Sequence, residues 1–248
     1  METAPKTAAA PAAAIAAAQA AFAELGLTRS GLETGAELAE LVGRITEEPD
    51  IAVAAWIAQA RSAGFNCSAA TAAARFGAAP ERLARQLEHL GDFGLPVDWT
   101  ASRGLNAQQA ETLRKMLLAI AADPRLIVAR LASELVRLRH VRELPEPERP
   151  RLGLEAREIY APLANRLGVW SVKWELEDLA FRQLEPGEYR RIAAALVERR
   201  VAREQYVEQV CARLHEELAA FGVEAQIYGR PKHIYSIWRN MQRKQLAF

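Results

Sequence analysis

The chain has 248 residues, half of them hydrophobic and a quarter charged, enough for one large domain or two modest ones with real cores, which excludes a disordered or fibrous protein. Thirty-two Lys and Arg against 31 Asp and Glu leave a net charge of +1, so any attraction to nucleic acid or membrane must be local rather than a property of the whole molecule. Two cysteines far apart, Cys67 and Cys211, supply neither a disulfide framework nor a metal knuckle; both read as small buried residues of a protein in a reducing cytoplasm, with no disulfide-linked partner.

In chain order, "METAPKTAAAPAAAIAAAQAAFAEL" is alanine-rich but has no basic region ahead of a leucine-type core, and prolines interrupt it. Residues 1–24 are expected to be a leader, disordered in part, that runs into an Ala-rich helix. No stretch reaches the roughly 18 apolar residues that span a bilayer. Leu113, Met116, Leu117 and Ile120, then Val128, Leu131, Leu135 and Leu138 beyond the Asp123-Pro124 break, predict a helical hairpin. "ELPEPERPR" (143–151) is the best boundary by composition. Beyond it, "LEAREIYAPLANRLGVWSVKWELEDLAFRQL" predicts two helices that part near Gly168, and a long helical run follows and ends at Gly222.

Only near the end does the period change. "VEAQIYG" (223–229) alternates as a strand does, and Ile234, Ile237, Trp238 and Met241 return to helical spacing. The expected architecture is thus mainly α, closing on a single strand and helix. One strand makes no sheet. Its partners would come from another chain or from residues beyond Phe248.

The charge gathers in that closing unit. Arg230, Lys232, Arg239, Arg243 and Lys244 occupy the last 21 residues with no acidic residue among them, which leaves −4 for everything before. Lys232, Ser236, Arg239, Asn240 and Arg243 are expected on the helix face opposite the apolar one. Cations, backbone N–H groups and a hydroxyl at a helix start suit an anion, and Arg can stack on a base as Lys cannot. Three readings stay open on pattern alone: a solvated basic face, a nucleic-acid contact and a nucleotide site.

"EIYAPLANRLGVWSVKWELEDLAF" together with "YGRPKHIYSIWRNMQRKQLAF" resembles the RelA/SpoT family of (p)ppGpp synthetases and hydrolases, from about Leu113 to Phe248. The resemblance implies an all-helical HD-type front domain (25–148), a helical linker (149–200) and the start of an α/β nucleotidyltransferase-like synthetase domain (201–248). That domain transfers pyrophosphate from ATP to the 3′-OH of GTP or GDP. It implies that Arg230, Lys232 and Ser236 hold ATP, with His233, Arg239 and Asn240 as further candidates; Asn240 stands where the family commonly has lysine. The family's Mg²⁺ aspartate, catalytic glutamate and guanine-stacking tyrosine, like its ribosome-contacting regions, would follow Phe248. Hence Mg²⁺ is expected for the complete synthetase and no catalytic residue or metal ligand within this chain.

Aligned without gaps from Phe76-Gly77, the four positions of the family's His-Asp…Glu-Asp hydrolase motif fall on Gln59, Ala60, Ala63 and Gly64. "ASELVR" puts Ser133 at a later metal-ligand aspartate. None is a charged ligand, which implies a pseudo-hydrolase domain of the RelA-like branch. The alternative is a catalytically inactive regulatory module that binds a nucleotide or a partner, or, leaving the resemblance aside, a helical protein with a nucleic-acid-contacting tail. Other motifs are expected to be structural: His215 in "HEELA" lacks a second histidine, Trp170 and Trp174 anchor helix packing, and Glu175, Glu177 and Asp178 lie on solvated helix surface.

Overall fold

The computed structural model describes residues 9–91, 111, 115, 123–197, 200–229 and 231–245. Among them every regular element is helical and none is a strand. The chain divides into two compact units, residues 1–180 and 181–248.

The first unit is built around α3 (Pro49–Ser62), in which every residue from Ile51 to Ile57 is buried. A helix apolar on all sides must be enclosed. It packs against α1 (Ala9–Glu24), α2 (Arg29–Thr46), α5 (Ala78–Gly91) and α6 (Pro124–Arg139), while α4 (Ala69–Phe76) packs on α5. The Ala-rich segment therefore contributes to the core through Ile15, Ala18 and Phe22 of α1.

Local chemistry sets the helix starts. Thr28, Ser68 and Asp123 each accept a backbone N–H in the first turn of α2, α4 and α6, and Pro49 and Pro124 begin α3 and α6, where a missing N–H costs nothing. α6 confirms the second arm of the expected hairpin; Leu113, Met116, Leu117 and Ile120 of the first arm lie outside the described residues.

The Pro-rich 143–151 stretch links α6 to α7 (Glu148–Glu155) through a 3₁₀ turn at Val141–Glu143. α7 leads into a π turn, Ala156–Tyr160, and then α8 (Ala161–Arg166). Pro162 explains the wider turn, because it removes the N–H that would bond Glu158 and its ring crowds that carbonyl. Gly168, at φ +73°, separates α8 from α9 (Trp170–Leu184) where the sequence placed the break.

The second unit takes in the end of α9 from Phe181, then α10 (Pro186–Val197), α11 (Arg200–Ala220) and α12 (Ile234–Lys244). Gly222, also at φ +73°, ends α11, and the Val223 N–H reaches back to the Leu218 carbonyl. The expected strand at 223–229 has no ladder partner among the described residues and carries no regular structure, as an unpaired strand should. It is held instead by close packing at its end: a Cβ on Gly229 would lie 2.4 Å from Val207 Cγ1 and 2.7 Å from Cys211 Sγ, so only glycine lets the backbone meet α11 there.

Candidate functional site

α12 carries the anion-binding candidates. Its apolar side supplies Tyr235 and Trp238, whose rings lie 5.7 and 4.7 Å from that of Phe181. Arg239 and Arg243 are exposed on the other side, and Ser236 and Asn240 are half-buried. The helix begins at Ile234, with His233 at the N-cap and no side-chain cap from it, so Lys232 is not a helix residue as its spacing suggested. It stands exposed in the non-helical run before the helix. Ser236 thus sits in the first turn, where backbone N–H groups and the positive end of the helix dipole converge. Arg230 lies outside the described residues.

The residues expected at the hydrolase-motif positions, Gln59, Ala60, Ala63 and Gly64, lie at and just beyond the C-terminal end of α3. Gln59 donates through Nε2 to Thr34 Oγ1 at 3.0 Å, while its buried Oε1 has no hydrogen-bond partner. Ala60 is buried, Ala63 is the C-cap and Gly64 turns the chain at φ +85°. Ser133, on α6, donates to the Ala129 carbonyl at 3.0 Å. Beside them Trp56 is fully buried, stacked on Phe22 at 5.0 Å, with its indole pressed on α2 where Gly35 has no side chain. Among the described residues no group of three His, Cys, Asp or Glu side chains could hold a metal ion.

Charge has not left this unit; it is neutralised in pairs. Glu134, fully buried, is held by Arg130 at 2.8 Å and Arg137 at 3.1 Å. Burial pulls the Arg130 guanidinium down, but the charge of Glu134 and the hydrogen bond to Tyr160 hold it above its ordinary value. Burial, with Glu134 close by, pushes Tyr160 up to about 12 and also raises Glu155. Arg61 donates to the Cys67 carbonyl at 2.7 Å and pairs with Glu88 at 3.0 Å and the buried Glu81 at 3.5 Å.

A further cluster joins helices distant in sequence. Arg139 pairs with Glu37 and, through two nitrogens, with Glu175, each at 2.6 Å, and the neighbouring His140 contacts Glu37 and Glu143. Glu175 is therefore not on a merely solvated face, and neither is Glu177, which is buried and bound by Lys173 at 3.0 Å. Of the residues expected to be structural, Cys67 is buried and Cys211 half-buried, both as free thiols, and His215 is exposed. Trp170 stacks on Trp174 at 6.2 Å yet stays 49% exposed, which makes it a weaker packing anchor than expected.

Comparison with known proteins gives the family of the chain. A model of the HD domain matches residues 12–170. A GTP pyrophosphokinase of Escherichia coli K12 is 52% identical over 149 residues, covering 60% of this chain and 20% of the relative. The guanosine-3′,5′-bis(diphosphate) 3′-pyrophosphohydrolase of Aquifex aeolicus is 40% identical over 171 residues, 68% of this chain and 23% of the relative. A probable enzyme of that name in Synechocystis is 45% identical over 141 residues, 56% and 19% of the respective lengths. The chain belongs to the HD domain family, in its RelA/SpoT branch. It spans about a fifth of the length of these curated relatives. Among the described residues no helix is long and apolar enough to cross a membrane.

Proposed function

We propose that this chain is the front part of a cytoplasmic (p)ppGpp synthetase of the stringent response, which moves pyrophosphate from ATP to the 3′-OH of GTP or GDP, and that its HD unit no longer hydrolyses. The observation that carries the first half is the start of α12: an uncapped helix N-terminus with Ser236 in its first turn and an exposed lysine just before it. In this reading Lys232 and Ser236 grip the triphosphate, Arg230 lies against adenine or phosphate, and His233, Arg239 and Asn240 stand close by. The names of the relatives support nucleotide substrates.

The second half rests on chemistry of the donor set. Gln59, Ala60, Ala63, Gly64 and Ser133 provide no anionic or imidazole ligand, and Ser133 already spends its proton on a backbone carbonyl. They do not fit a divalent hydrolase metal. Nor does α12 fit Mg²⁺, since it carries no carboxylate; ligands for the Mg²⁺ of a complete synthetase would come from other segments.

An exposed stripe of Tyr206, Val210 and Leu214 along α11, next to the unladdered 223–229 segment, also supports a sheet completed by further chain. The test is ATP affinity in the full-length protein. Lys232→Ala is expected to weaken ATP about tenfold or more, the scale of a charge-assisted phosphate contact. Unchanged affinity would move the ATP site off this helix.

A further inference from the structure

The apolar side of α12 shows what seats the helix. No side chain of α12 is fully buried, and Arg239, Arg243 and Lys244 are exposed. What fixes it within its unit is a ring contact. Tyr235 and Trp238, three residues apart and therefore on one face, both rest on Phe181, which is 1% exposed and comes from the end of α9. Tyr189 of α10 meets the same ring from another direction at 6.0 Å, and Tyr235 and Trp238 lie 5.7 Å from each other.

Trp238 gives the clearest sign of what sets this geometry. Its Nε1 is buried and has no hydrogen-bond partner, so the indole is placed by ring packing rather than by its polar handle. A helix seated by two rings on a third is fixed in rotation as well as height. Turning α12 by one residue, roughly 100°, would lift Trp238 off Phe181 and swing Ser236 and Arg239 away from where they now face.

We propose that Phe181 is a positioning residue for the ATP site: it acts through Tyr235 and Trp238 to set the angle at which the first turn of α12 meets the triphosphate. This rests on the assignment of ATP to α12. Phe181 touches no nucleotide itself. Its effect should therefore be selective for ATP, whereas a general loss of stability would affect both substrates alike.

The experiment is steady-state kinetics of the full-length protein, with ATP and GTP varied separately, on Phe181→Ala, Phe181→Leu, Lys232→Ala and the Phe181→Leu/Lys232→Ala pair. KM for ATP should rise about tenfold or more in Phe181→Ala, as expected for a misplaced reactant contact, with KM for GTP little changed. Phe181→Leu keeps an apolar side chain of much of the volume without the ring and should show a smaller shift of the same kind; it decides the matter if the alanine variant does not fold. In the pair, losing Lys232 should cost less than it does alone, because the two act on one contact. If Lys232→Ala alone leaves KM for ATP unchanged, the ATP site itself is misassigned. If Lys232→Ala weakens ATP but folded Phe181→Leu matches the wild type, or raises both KM values equally, the positioning role is overturned and the ATP site stands.

Discussion

An alanine at position 35 would put its Cβ 1.8 Å from Trp56 Nε1, far inside any tolerable contact. On an exposed helix the same change would gain about 1 kcal/mol of propensity. Here the neighbour is a rigid ring backed by Phe22, so Gly35→Ala is expected to destabilise by about 1–3 kcal/mol or more, the scale of overpacking in a closed core. Trp56→Ala should cost about 3–5 kcal/mol through the cavity it leaves. Together they should cost less than their sum, since removing the ring gives the new methyl room. Urea unfolding of the three variants measures this, and strict additivity would show that the two residues do not share the space assigned to them.

At the scale of elements, α2, α6 and α9 are tied by charge. His140 sets its Nε2 against Glu37 at 2.8 Å and its Nδ1 against Glu143 at 3.0 Å, and both nitrogens can donate only in the imidazolium. The hydrogen bond to Glu37, then that to Glu143, raises the histidine above its ordinary value near 6.5. Burial pushes Glu37 up, but hydrogen bonds from His140 and Arg139 outweigh it and hold the carboxyl below its usual range. A raised histidine stabilises fully below about pH 6.5, and that contribution is lost as pH climbs through the folded value; a depressed glutamate stabilises above about pH 4.5 and is lost as pH falls through its own folded value. Thermal stability is therefore expected to be greatest between about pH 4.5 and 6.5 as far as these groups decide it. His140→Gln should flatten the alkaline side of the profile and leave the acid side, where Arg139 still holds Glu37. An unchanged alkaline limb would mean that the imidazole is neutral throughout.

Helix identity was legible wherever apolar spacing or a cap marked it, as at Asp123-Pro124, Gly168 and Gly222, because those signals act within one or two turns. The tie from Glu37 to Arg139 was not, since nothing in either neighbourhood indicates a partner 102 residues away. Lys232 was assigned to the helix because side-chain spacing alone does not mark the first helical residue, which is Ile234. The strand pattern at 223–229 was genuine alternation, but pairing is a property of two segments and the described residues supply one.

For the molecule as a whole, the uncharged residues Gln59, Ala60, Ala63, Gly64 and Ser133 and the paired internal charges lead to a functional expectation. The purified chain should not release pyrophosphate from ppGpp with Mn²⁺ present, because no described cluster of side chains could hold the ion. It should also form no (p)ppGpp from ATP and GTP, while the full-length protein does so. Both are read from one nucleotide chromatogram. Metal-dependent pyrophosphate above a protein-free control would overturn the first expectation, and product from the 248-residue chain the second. The candidate site was legible only as residue types in order; that α12 depends on a phenylalanine from α9 was visible only once the rings were seen together.

The fit of Trp56 against Gly35 also bears on the history the protein can have. Any larger residue at 35 collides with the indole, and losing the indole first leaves a cavity. A lineage that has reached this pair must cross a poorly folded intermediate to leave it by single substitutions, whichever change comes first.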